Sequence, residues 1–229
     1  DIYQLIKKCH SLNVLIIKTP KIKQLPDELP SCTRLDCNGC TALQLLPELP
    51  ACTQLICNEC PSLHLLPALP LCTQIDCSRC SALHLPLDEL PSCTRLACAG
   101  CLALDKLPAL PSCVELNCNG CVTLKQVPAL PVCTQLECSG CLALQRLPNE
   151  LPACRQLNCS HCICLGRLSL LPVCAQLNCS GCTVLQQVPE LPVCRKLDCH
   201  ECCALQRLPD ALPLCTQLSC YGCTVLRLL

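Results

Sequence analysis

The sequence predicts a solenoid of short stacked coils, each a brief parallel strand followed by an extended return. Three observations carry that prediction. The pattern C-x-x-(L/I)-x-C-x-x-C-x-x-L occurs ten times, starting at Cys32, Cys52, Cys72, Cys93, Cys113, Cys133, Cys154, Cys174, Cys194 and Cys215. Self-similarity at a fixed period of 20 to 21 residues marks a chain whose units must stack to bury their apolar side. Within each copy L-x-C alternates inward and outward, the rhythm of a strand. The remainder is an LPxLP segment whose two prolines block a helix and favour extended backbone. A unit this short has no room for strand, turn, helix and second turn.

Residues 1–11, DIYQLIKKCHS, place Ile2, Leu5, Ile6 and Cys9 at i, i+3, i+4 and i+7, which predicts a short helix capping the first coil. Residues 12–31 form a cysteine-free first repeat, with Leu12, Leu15 and Ile17 in the leading apolar positions and Pro20 where later copies have the third cysteine. Residues 32–229 are ten cysteine-type repeats, the last incomplete. With no Met at Asp1 and an unfinished coil at Leu229, the chain reads as a fragment of something longer.

The repeat starts advance by 20, 20 and 21 residues, three times over, so that Cys32, Cys93, Cys154 and Cys215 lie 61 residues apart. A three-coil block duplicated as a unit explains this. The extra residue falls in the return and predicts a small acidic or amide-bearing surface bulge at Asp27/Glu28, Asp88/Glu89, Asn149/Glu150 and Asp210. Glycine often precedes the third cysteine (Gly39, Gly100, Gly120, Gly140, Gly181, Gly222) and marks a turn there.

Composition excludes several classes. The 17 basic residues are balanced by 17 acidic ones, which argues against a nucleic-acid footprint and against a polybasic membrane patch. No run approaches the roughly 20 apolar residues of a membrane helix. Phe, Trp and Met are absent and Tyr occurs only as Tyr3 and Tyr221, so a thin core of Leu, Cys, Val, Ile and Ala is expected.

Thirty-three cysteines admit three explanations. In the preferred one they are small, soft core residues: the first- and sixth-position thiols stack inward, and the ninth-position S–H bonds a backbone carbonyl left unpaired where the strand turns. The second is metal: every cysteine coil has a C-x-x-C, such as Cys37/Cys40 and Cys98/Cys101, and stacked pairs would offer four thiolates. Against it, the spacing follows from strand registry in every coil. The five histidines (His10, His64, His84, His161, His200) also occupy no common position. The third is disulfides. Strand spacing of about 4.8 Å permits them, but parallel Cβ vectors and an odd cysteine count oppose them. A reducing compartment, the cytoplasm or a host cytosol, fits best. Cys9, Cys164 and Cys203 fall outside the triplets, and no recurrent Cys–His partner predicts a nucleophile. No cofactor, metal site or catalytic residue is expected.

With the first, fourth, sixth, ninth and twelfth positions facing in, the third and fifth face out on a concave sheet. The third-position row is Arg34, Gln54, Gln74, Arg95, Glu115, Gln135, Gln156, Gln176, Lys196 and Gln217. The fifth is Asp36, Ile56, Asp76, Ala97, Asn117, Glu137, Asn158, Asn178, Asp198 and Ser219. The polar members of both rows up to Gln217 are the candidate protein-binding surface; glutamines bonding one another between coils is the plain alternative. Arg34, Arg95 and Tyr221 are the anchor-type residues. The uncapped last coil, Cys215 to Leu229, offers an edge for end-to-end pairing with a second copy.

The pattern resembles the leucine-rich repeat, L-x-x-L-x-L-x-x-N/C-x-L, with cysteine in its first, sixth and ninth positions. Its length and LPxLP return resemble the bacterial leucine-rich-repeat effectors of the YopM and IpaH kind, and the first repeat, LNVLIIKTPKIKQLP, fits that variant best. The later copies also resemble the cysteine-containing repeat class. The resemblance implies a leucine-rich repeat solenoid and a non-enzymatic scaffold that binds a partner protein through the concave face. Such effectors act inside host cells, and some carry a ubiquitin-ligase domain after the repeats, of which this sequence holds no segment. The alternatives are a thiol-based metal-binding or redox protein, and the recognition part of a truncated ligase effector.

Overall fold

The computed structural model describes residues 2–9, 11–85 and 90–227. A short helix, α1 (Ile2–Lys7), precedes eleven strands of three residues each. They are β1 (Val14–Ile16), β2 (Arg34–Asp36), β3 (Gln54–Ile56), β4 (Gln74–Asp76), β5 (Arg95–Ala97) and β6 (Glu115–Asn117), then β7 (Gln135–Glu137), β8 (Gln156–Asn158), β9 (Gln176–Asn178), β10 (Lys196–Asp198) and β11 (Gln217–Ser219). All belong to one parallel sheet, ordered as in the sequence. Each residue pairs with its equivalent in the next coil, Leu35 with Leu55 and Leu116 with Leu136, so every position becomes a column. This is a parallel β-solenoid.

The columns explain the burial. The fourth-position residue of each strand from β2 to β10 is at most 2% exposed, and the twelfth-position leucines from Leu43 to Leu205 at most 1%. The first-, sixth- and ninth-position cysteines from Cys32 to Cys202 are wholly buried. One coil has only three strand residues and cannot shield these groups alone; the neighbours above and below do so. Where a neighbour stands on one side only, at β11, Leu218 is 50% exposed and Cys215, Cys220 and Cys223 are half-buried.

Inter-coil bonding runs past the strand ends. The second-position N–H donates to the preceding coil, as Thr53 N to Thr33 O at 2.8 Å. The sixth and eighth donate to the following coil, as Cys118 N to Glu137 O at 2.8 Å and Gly120 N to Ser139 O at 2.7 Å. Aiming the eighth N–H along the stack requires left-handed backbone, and this position has positive φ in all ten cysteine coils. Six are the glycines anticipated from sequence; the others are Glu59 (φ 58), Arg79 (φ 60), His161 (φ 56) and Glu201 (φ 57).

Three details depart from the sequence reading. Of the apolar stripe expected on α1, Ile6 is buried whereas Leu5 and Cys9 are exposed, because a six-residue helix presents little more than one side chain to the coil beneath it. His64 and His84 do fall at one position, the thirteenth, with His84 N donating to His64 O at 2.9 Å. In that same coil Leu65 pairs with His84, a one-residue offset from the Leu45–Leu65 pair, and Leu85 is buried where an exposed residue was due. The bulges at Asp27/Glu28, Asn149/Glu150 and Asp210 are exposed, with Glu28 paired to Glu48 and Glu150 to Leu170 along the returns. The Asp88/Glu89 bulge lies outside the described residues.

Candidate interaction face

The outward face of the sheet is built by strand alternation: in β2 to β11 the third and fifth positions flank an inward leucine or isoleucine. The third-position side chains are half-buried or exposed throughout, from Arg34 through Gln54, Gln74, Arg95, Glu115, Gln135, Gln156, Gln176 and Lys196 to Gln217. A shallow trough of about 440 Å³ lies over β3 to β7, lined by Gln54, Gln74, Arg95, Glu115 and Gln135 among others. A smaller one of about 210 Å³ covers Gln156, Gln176, Lys196 and Asp198. Arg34 and Gln217 line neither trough.

The third-position column is partly self-satisfied. Gln54 Nε2 donates to Gln74 Oε1 at 3.3 Å. Arg95 donates from both Nε (2.8 Å) and Nη2 (2.6 Å) to Glu115 Oε2 in the next coil. One of the two arginine anchors is thus already engaged. The other, Arg34, forms no ion pair among the described residues, and its Nε is buried with no partner among them.

The fifth-position column has a job that the alternation pattern did not reveal. The Oδ1 atoms of Asp36, Asp76, Asn117, Asn158, Asn178 and Asp198 each accept the backbone N–H two residues on, at 3.0–3.3 Å. These are Asx turns that guide the chain out of the strand. Asp36 is buried and the other five are half-buried. Glu137, one methylene longer, instead accepts Asn158 Nδ2 at 2.9 Å. An Asp or Asn two residues ahead of a turn was the available signal.

Two further features border the face. At its N-terminal end Val14 and Ile16 are exposed beside Arg34 and Asp36, an apolar foot on a polar band. At its C-terminal end the ring of His200 stacks on Tyr221 with centroids 4.6 Å apart, and His200 Nδ1 lies 2.6 Å from Asp198 Oδ1.

Beneath the face are the thiols. All ten ninth-position Sγ atoms donate to the sixth-position carbonyl of the preceding coil, at 3.0–3.3 Å. All ten first-position Sγ atoms donate to the carbonyl two residues on in their own strand, at 3.2–3.4 Å. Burial pushes the thiols of Cys113, Cys154 and Cys174 up to about 12, reinforced by neighbouring cysteines of the same column. The sixth-position thiols Cys98, Cys118 and Cys138 are raised well above the ordinary value, first by bonding with the next coil's ninth-position thiol and then by burial. Such thiols stay protonated at neutral pH and are poor nucleophiles. Among the described residues no three His, Cys, Asp or Glu side chains are gathered as metal ligands would be, and no helix is long and apolar enough to cross a membrane.

No family model, no curated protein and no solved structure matches this chain.

Proposed function

We propose that the chain is a non-enzymatic scaffold of the leucine-rich-repeat kind that binds a partner protein along the open face of its sheet. One observation carries this reading: the third-position side chains make a row with one member per coil over ten coils, held in register by the parallel ladder. A long row of amide and charged groups on a rigid backing suits recognition by many small polar contacts, with Val14 and Ile16 as an apolar foothold at one end. The interior supports the same reading from the other side. Its first- and ninth-position thiols are donors to backbone carbonyls and so are committed to the stack. Keeping them as S–H calls for a reducing compartment, in line with the host cytosol in which the effectors whose repeat pattern it resembles act.

Photo-crosslinking tests this. A benzophenone amino acid at Gln135 or Gln176 is expected to give discrete protein adducts in extracts of the cells where the chain acts, whereas the same probe at Ala109 on the return gives few. Equal labelling from both sides would sink the proposal.

A further inference from the structure

The far side of the coils carries a second charged feature, independent of the sheet face. At the thirteenth and fourteenth positions, just after the twelfth-position leucine, the chain forms an incipient second ladder: Gln126 pairs with Arg146 and Gln187 with Arg207. Lys106, Lys125, Arg146, Arg167, Arg207 and Arg227 project from this ladder, all exposed. The only acid at these two positions is Asp105. None of the six cations belongs to an ion pair among the described residues, and the acids of the adjacent return column, Glu150, Glu190 and Asp210, make none with them. A chain of zero net charge has thus set six of its 17 cations in a line, one per coil at about 4.8 Å from Lys106 to Arg167 and, past the coil of Gln186 and Gln187, again at Arg207 and Arg227. Like charges so placed repel one another unless an anion lies across them.

The line passes through a groove. Between Arg146 and Arg167 the structure has a depression of about 760 Å³, and three sequence irregularities coincide there. Gly166 withholds a side chain where neighbouring coils have Gln145 and Gln186. Ser169 replaces the first proline of the return and is buried, its Oγ donating to Pro148 O at 2.7 Å. Leu170 follows and is 63% exposed within the groove. Two guanidiniums without carboxylates and a bare leucine line one depression.

We propose that this groove and the basic line running through it dock an extended acidic segment of a partner protein that carries an apolar residue among its carboxylates. Arg146 and Arg167 take the carboxylates, each able to form a bidentate pair. Leu170 takes the apolar residue, and Gln145 and Gln187 bond the segment's backbone. The chemistry disfavours nucleic acid, because no aromatic side chain stands in the line for bases to stack on.

Fluorescence anisotropy with a short labelled peptide of repeating Glu-Glu-Leu tests the proposal. It is expected to bind saturably, and a repeating Gln-Gln-Leu peptide is not. The R146Q/R167Q double variant is expected to weaken binding about tenfold, as is raising salt from about 50 to about 500 mM. Gly166→Gln changes no charge, and a Cβ there meets nothing closer than Val184 O at 4.0 Å, yet the side chain extends into the groove and is expected to weaken binding about as much. Both arginines are exposed and unpaired, so thermal unfolding should not shift; should the double variant fail to fold, Gly166→Gln and the salt series carry the same test. The proposal is overturned if the variants bind the Glu-Glu-Leu peptide as well as the parent does, or if the Gln-Gln-Leu peptide binds equally. Tighter, arginine-dependent binding of oligothymidylate or of phosphatidylserine vesicles would overturn it too.

Discussion

The first- and ninth-position cysteine columns look alike and bond differently. Both are wholly buried from the first cysteine coil to the ninth, and in both each thiol donates to a backbone carbonyl. But Cys133 Sγ donates to Gln135 O within its own strand, whereas Cys141 Sγ reaches back to Cys118 O in the previous coil. Cys118 O also accepts Cys121 N at 3.2 Å, so both of its lone pairs are used. One column fills space and finishes its own coil; the other ties coil to coil. Residue type and burial do not tell the two apart, and only the position of the acceptor does.

Alkali tests the first-position column. Cys52, bonded to Cys72, is held down to about 7. Burial pushes the folded thiols of Cys93 and Cys133 up to about 11, and those of Cys113, Cys154 and Cys174 up to about 12, against an ordinary value of 9.0. Between these limits the unfolded chain has released protons that the folded chain retains. Each such thiol therefore contributes stability that is fully present below about pH 9 and lost as pH rises toward 11 or 12, at about 1.4 kcal/mol per pH unit. Urea midpoints are expected to fall steeply above about pH 9; a flat profile from there to about pH 11 would contradict the buried, protonated first-position thiols.

Truncation at each column separates them. Cys141→Ala removes a buried sulfur and the inter-coil bond together, and should destabilise the chain by about 2–3 kcal/mol. Cys133→Ala removes the same volume but only a bond within its strand, and should cost about 1–2 kcal/mol. Equal losses in chemical denaturation would mean that the inter-coil thiol bond adds nothing. The eighth position, next to the ninth-position thiol, offers a finer test. His161→Gly relieves left-handed backbone in a residue with a Cβ and is expected to stabilise by about 0.5–1 kcal/mol. Gly181→Ala does the reverse, and more than strain is involved, since its Cβ would stand 2.5 Å from His161 Nδ1; at Gly39, with nothing within 4 Å, the strain acts alone. Thermal melts of the two alanine variants should therefore differ, and the difference should vanish in the His161→Gly background. The smallest effect belongs to the surface: Arg95→Gln breaks a half-exposed ion pair and should change stability by no more than about 0.5 kcal/mol.

Much of this was legible in the residues. Periodicity places Leu55 and Cys57 inside and Gln54 outside, because alternation along a strand is a local property. The ninth-position thiol's carbonyl partner follows from asking what remains unbonded where a strand turns. The first-position bond did not follow, since a thiol two residues from a carbonyl of its own strand leaves no trace in spacing. Nor was the double duty of Asp76 and Asn117 seen: their alternation assigns them to solvent, while a short side chain two residues before a turn prefers its own backbone. The stacked His200 and Tyr221, and the row from Lys125 to Arg167, join residues 21 positions apart in sequence. Their adjacency exists only once coils are superposed.

Because every tie joins a coil to its immediate neighbour, the molecule has no bond that must break first for all the others to yield. Pulled from its two ends, it should give up length in near-equal steps. Each released coil of 20 or 21 residues adds roughly 65–70 Å of slack chain, and the recorded force should rise and drop with that regular stride.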